Sequence, residues 1–170
     1  LDFYLLNHSV HPNGNYGNGS KRDEPNLLAG DRIYRNDNDF FTDITPKTGI
    51  HSGIIGYGLG LGLGDLNDDG FTDIYITNDF FENDYLYVNN QNFGFEDFIP
   101  KKNRSIGHTS HFSMGVDLAD FNNDGLTDIF TLDTLPENPI TYQTAGRDYP
   151  FQIYTQYQKN GYDFQFMQNT

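Results

Sequence analysis

The chain has 170 residues, a net charge of −14 and a pI near 4.3. Such an acidic surface repels nucleic acid and anionic membranes, the absence of cysteine excludes disulfide staples, and no apolar run approaches the length that spans a bilayer. Of the 24 acidic residues 20 are Asp, the short carboxylate that turns and metal loops use.

Leu1-Asp2-Phe3-Tyr4-Leu5-Leu6-Asn7 predicts a strand, and it matches Thr72-Asp73-Ile74-Tyr75-Ile76-Thr77-Asn78 position by position. The sequence is therefore expected to start inside a motif, with Asp2 standing where Asp73 stands later. Ser9 to Gly30 is rich in Gly, Asn and charge and reads as a loop inserted over residues 8–31. Asp31 to Asp43 then predicts a hairpin around an Asn/Asp turn, repeated with one residue of slack by Asp84 to Asp97.

Tyr57-Gly58-Leu59-Gly60-Leu61-Gly62-Leu63-Gly64 alternates large apolar with small residues, a period-two strand signal. It runs into Asp65-Leu66-Asn67-Asp68-Asp69-Gly70-Phe71-Thr72-Asp73, and the same form returns 55 residues later as Asp120-Phe121-Asn122-Asn123-Asp124-Gly125-Leu126-Thr127-Asp128. In each loop the oxygens at positions 1, 3 and 5 can converge, position 6 is the glycine of the sharp turn, position 7 offers a carbonyl and position 9 another carboxylate. Hard oxygens in a flexible cage are what calcium prefers. The predicted ligands are Asp65, Asn67, Asp69, Asp73 and the Phe71 carbonyl in one loop, Asp120, Asn122, Asp124, Asp128 and the Leu126 carbonyl in the other, with Asp2 as part of a third site. An EF-hand is excluded, because position 12 is Ile76 or Thr131 rather than glutamate and strands flank the loops. A dinucleotide fingerprint is excluded too, since no helix opens after the glycines.

Phe112 to Ala119 repeats the inner strand and Ile129 to Leu132 repeats Ile74 to Thr77. Four antiparallel strands at this period describe a propeller blade, so the chain is expected to be all-β: a propeller segment with metal loops between the first and second strands. The expected organisation is the later part of one blade over 1–45, a complete blade over 46–100, and an incomplete blade over 101–170 with an insertion over 134–168. Pro136-Glu137-Asn138-Pro139 opens that insertion, Asp148 to Gln168 could hold a helix, and Asn169-Thr170 falls where a third strand begins. Both insertions join second to third strands, so they are expected on the face opposite the metal loops. Three blades are fewer than the four to eight of a closed propeller, so the chain is expected to belong to a longer protein.

Gly-Asp-Leu-Asn-Asp-Asp-Gly-Phe-Thr-Asp-Ile and Ala-Asp-Phe-Asn-Asn-Asp-Gly-Leu-Thr-Asp-Ile resemble the FG-GAP/VCBS repeats of integrin alpha-subunit propellers, cartilage acidic protein and secreted bacterial proteins. The resemblance implies a calcium-stabilised β-propeller without catalytic residues, used for adhesion or recognition. The Gly-Ala-Pro triplet of that family is replaced by Ile76-Thr77-Asn78-Asp79 and Thr131-Leu132-Asp133-Thr134.

The remaining motifs admit a bland and a sharp reading. His8-x-x-His11 and His108-x-x-His111 could ligate zinc, but residues three apart on a strand face opposite ways and no cysteine helps. Asp117 stands where the other repeat has Gly62, and could line a central channel and bind ligand, or be a solvated carboxylate. The expectation is a non-catalytic recognition, adhesion or scaffolding module, exported because calcium loops of Kd on the order of 10⁻⁴ to 10⁻³ M fill outside cells. Its partner is a protein or glycan. The alternative is part of a propeller-fold carbohydrate-active enzyme, a lyase or hydrolase with its catalytic groups in the insertions or in further blades.

Overall fold

The computed structural model describes residues 1–11, 17–99, 106–141 and 151–170. Pro100, which closes the expected middle blade, and parts of both insertions, 12–16 and 142–150, lie outside the described residues. The architecture is β-rich. A three-stranded sheet holds β1 (Phe3–Leu5), β2 (Arg32–Asn36) and β3 (Phe41–Asp43); a four-stranded sheet holds β4 (Gly58–Gly64), β5 (Asp73–Asn78), β6 (Tyr85–Asn89) and β7 (Phe95–Asp97) in chain order. All pairs within these sheets are antiparallel; apart from the long β1–β2 connection, the links between paired strands are too short for a parallel crossover. A third unit pairs β9 (Ser113–Ala119) with β10 (Asp128–Asp133) antiparallel. Outside this plan, β8 (Thr109–Ser110) pairs with β11 (Gln165–Phe166) in parallel, and helix α1 covers Phe151–Lys159, within the segment expected to hold one.

Period-two alternation explains how the sheets stack. In β5, Ile74 and Ile76 face the first sheet and pack with Ile33, Ile50, Tyr85 and Tyr87. Tyr75 faces the other way and packs with Leu86 and Ile99, beside Val116 and Ile129 of the third unit. A strand covered on both faces has no solvent side, so all six residues of β5 are buried. Each such apolar side chain contributes about 1.5–3 kcal/mol. The glycines of β4 serve close approach: a Cβ at Gly60 would stand 2.6 Å from Thr77 Oγ1 and 3.1 Å from the Gly115 Cα.

A polar node ties second to third strands and recurs down the chain. Asp31 accepts from the Asn7 N–H at 2.8 Å and the Tyr4 hydroxyl at 2.7 Å. Asp84 accepts from the Asn78 N–H at 2.9 Å, the Tyr75 hydroxyl at 3.0 Å and Ser113 Oγ at 2.8 Å, the last bond crossing to the third unit. In that unit the Asp133 N–H donates to Asn169 Oδ1 at 2.8 Å, while Thr131 and Thr170 exchange backbone bonds. Asn169-Thr170 thus bonds to β10 much as Asp84-Tyr85 bonds to β5. Burial pushes the Asp31 carboxyl up to about 6 and that of Asp84 up to about 7, against the lowering effect of these hydrogen bonds.

Candidate functional site

The two Asp-rich loops sit at one end of their hairpins, beyond the pairs Gly64–Asp73 and Ala119–Asp128, and repeat the same bonds. The Asp69 N–H donates to Asp65 Oδ1 and Asn67 Oδ1, both at 3.1 Å; the Asp124 N–H donates to Asp120 Oδ1 at 3.0 Å and Asn122 Oδ1 at 2.9 Å. Positions 1 and 3 therefore converge. Position 5 joins them, with Asn67 Nδ2 3.1 Å from Asp69 Oδ2 and Asn122 Nδ2 3.0 Å from Asp124 Oδ2. The turn depends on Gly70 and Gly125 at φ of +85° and +88°, a region that excludes most side chains. The Gly70 N–H donates to Asp65 Oδ2 at 2.8 Å and holds that carboxyl below its ordinary range.

Position 9 differs. Asp73 is fully buried, its Oδ1 accepting from the Asn89 N–H at 2.8 Å and its Oδ2 from the Leu66 N–H at 3.0 Å. Asp128 Oδ2 accepts from the Phe121 N–H at 3.0 Å. Asp2 repeats the Asp73 bond, accepting from the Asn36 N–H at 2.8 Å, which places it at the same position of the first sheet. Among the described residues no three His, Cys, Asp or Glu side chains form a metal-sized cluster. Each loop brings together two carboxylates and an amide, while position 9 is engaged by backbone N–H groups. The donor chemistry, oxygen throughout, fits a hard cation and disfavours a soft one.

At the opposite end of the sheets the three connections between second and third strands meet. Arg22, in a 3₁₀ turn over Gly19–Asp23, donates to both Glu82 carboxylate oxygens, from Nε at 2.6 Å and Nη2 at 3.2 Å. Its Nη1 reaches the Gly161 carbonyl at 3.3 Å and its guanidinium lies 5.9 Å from the Tyr162 ring centre. Tyr85 donates to Glu82 at 2.8 Å, Gln165 Nε2 donates to the Glu82 carbonyl at 2.8 Å, and the Gly19 N–H donates to the Asn160 carbonyl at 2.8 Å. Phe81 stacks on Tyr157 with centres 3.7 Å apart. Burial raises Glu82 and Arg22 opposes it; burial would lower Arg22, and the adjoining Glu82 carboxylate reverses this and raises it.

His51 adds a second clasp, with Nδ1 2.8 Å from Asp23 and Nε2 3.1 Å from Asp97. Two carboxylates facing both ring nitrogens require both to carry protons. Burial would lower the imidazole, but Asp97, Asp23 and Glu82 outweigh it and raise it. Neither clasp was predicted, because residues 60 or 46 apart in sequence meet only through the stacking of sheets.

The histidine pairs are not brought together. His8 packs edge-on against Tyr57, and the His11 N–H donates to Ser9 Oγ. His108 Nε2 lies 2.6 Å from Gln168 Nε2 at the joint of second and third sheets, whereas buried His111 faces Gln165 Oε1 at 3.4 Å on the insertion side. Asp117 lies in β9 opposite Phe130 of β10. The small face of β4, on which Gly62 lies, packs against Leu118 of the next sheet, so the equivalent position lies on an inter-sheet face rather than a channel wall. Asp117 is exposed there, its Oδ1 accepting the Leu118 N–H.

Residues 65–131 match the FG-GAP-like repeat, a span that opens on Asp65 and closes within β10. That repeat is of the β-propeller type. No curated protein matches the chain.

Proposed function

From a chain that carries an FG-GAP-like repeat across residues 65–131, we propose that it is a calcium-binding propeller segment of an exported protein. It acts as a non-catalytic recognition, adhesion or scaffolding module whose protein or glycan partner meets the insertion face. The observation that supports this reading is the convergence of all three second-to-third connections on Arg22, which ties long connecting segments together at one end of the sheets.

Calcium would be held by Asp65, Asn67 and Asp69 with Asp73 and the Phe71 carbonyl, and by Asp120, Asn122 and Asp124 with Asp128 and the Leu126 carbonyl. It would supply charge neutralisation: carboxylates crowded on one turn repel one another until a cation is bound. The metal end then stiffens the hairpins while the insertion end binds. The partner is expected at parts of 8–31 and 134–168, of which 12–16 and 142–150 lie outside the described residues.

Two measurements test the reading. Calorimetric titration should give heat with calcium, and chelator should lower the melting temperature; the absence of both effects would sink the metal assignment. Replacing each insertion by the short Asp79–Asp84 connection should abolish binding on protein and glycan arrays while leaving a folded chain. Retained binding after both replacements would refute the face. Turnover of a polysaccharide by the chain would favour the carbohydrate-active alternative.

A further inference from the structure

Between α1 and β11 lies a cleft of about 470 Å³, within the size range of ligand sites. Phe151 and Tyr154 form the helix side, Phe166 and Met167 the strand side, and Phe81 of the middle blade the far wall. Its polar side chains, His111 and Gln165, are occupied with the protein itself. Gln165 Nε2 donates to the carbonyls of Glu82 at 2.8 Å and Ser110 at 3.4 Å, and its Oε1 faces His111 Nδ1 at 3.4 Å. The Tyr154 hydroxyl donates to the Gln165 carbonyl at 3.2 Å and accepts the Gln165 N–H at 3.3 Å.

That saturation selects the ligand. A sugar entering the cleft would bury hydroxyls without partners, which is costly. An anion would find no cation, since burial lowers His111 and keeps it neutral. An apolar side chain gains contact with aromatic rings and a thioether and loses no hydrogen bond. Among the described residues, Asp133 and Asp79 act on His111 and Asp163 acts on Arg22, whose charge is taken up by Glu82, while Lys159 ends the helix, in a chain of net charge −14. We propose that the cleft takes one bulky apolar side chain, aromatic or branched aliphatic, from a protein partner whose surrounding surface is basic. The inference rests on the insertion face being the binding face, and narrows its partner from protein or glycan to protein.

The chain has no tryptophan, so a tryptophan probe is seen without background. The test titrates the calcium-loaded chain into a short peptide carrying one tryptophan among lysines. A saturable blue shift of emission is expected, about tenfold weaker with Phe151→Ala or Met167→Glu or with glutamates replacing the lysines, and unchanged with Phe130→Ser outside the cleft. Phe151 is 79% exposed, so its truncation spares the fold. No saturable shift, equal affinity in both cleft variants, or displacement by glucan oligosaccharides but not by a phenylalanine-lysine peptide would overturn the proposal. The two readings fail separately. Array binding that survives Met167→Glu but not insertion exchange removes the cleft and keeps the face; binding that survives insertion exchange removes the face.

Discussion

The second and third repeats carry nearly the same strand pattern and meet different fates. β5 reads Asp73-Ile74-Tyr75-Ile76-Thr77-Asn78 and is buried throughout; β10 reads Asp128-Ile129-Phe130-Thr131-Leu132-Asp133 and keeps one open face. Tyr75 is 2% exposed and Thr77 0%, whereas their counterparts Phe130 and Leu132 are 41% and 49% exposed. The difference lies in what stands next to the strand. Tyr75 and Thr77 are covered by the inner strand of the following unit, and nothing among the described residues covers Phe130 and Leu132 in the same way. Strand formation is local here, while burial is conferred by the neighbour.

The sharpest way to break this comparison is truncation at the equivalent positions. Tyr75→Ala should cost about 3–5 kcal/mol, the range for a large buried aromatic, whereas Phe130→Ala should cost about 1 kcal/mol or less. Denaturant melts would measure both, and similar losses would mean that the open face is covered in solution. Next comes the polar node. Asp31, Asp84 and His51 all have raised values in the fold. Each therefore contributes stability that is full below its unfolded value and is lost as pH rises through its folded value. For Asp31 and Asp84 that window runs from about pH 4 to 7, and acidification from pH 7 to 5 should raise the melting temperature. The third repeat already uses Asn169 at this node, so Asp84→Asn should fold, flatten the pH dependence, and be more stable than the parent at pH 8 by one to a few kcal/mol on the order of its pKa shift. A pH profile unchanged by Asp84→Asn would remove the node from the account.

The metal loops lie at the periphery of both repeats, and their effect depends on the ion they hold. If calcium binds, a concentration one hundred times Kd adds about 2.7 kcal/mol per site. Asp65→Ala and Asp120→Ala should each remove roughly half of the calcium-induced rise in melting temperature, and a full rise in the double variant would rule the loops out. The least effect on stability is expected at the open face itself. Leu132→Ser should change stability by about 0.5 kcal/mol or less yet reduce self-association seen by light scattering, since exposed apolar sheet surface invites pairing. Unchanged association would show that the face is not sticky.

Much of this molecule is legible from residues close together in sequence. The inner strands follow from large-small alternation, the turns from the Asx side chains and the glycines at positive φ, and the places of Asp2 and Asn169 from matching one repeat to another. The Asp65–Asn67–Asp69 cluster is legible for the same reason: its bonds span five residues or fewer. At Asp117, alternation separates the two faces of a strand without saying what each face meets. Arg22 and Glu82 were missed altogether. By itself the sequence determined the strands of the repeats, their loops and their order, though not the parallel pair β8–β11, because period and turn chemistry act over a few residues. Only the tertiary structure decided which faces are buried, which connections meet and which carboxyls lie in the dry interior, because those depend on how whole sheets stack.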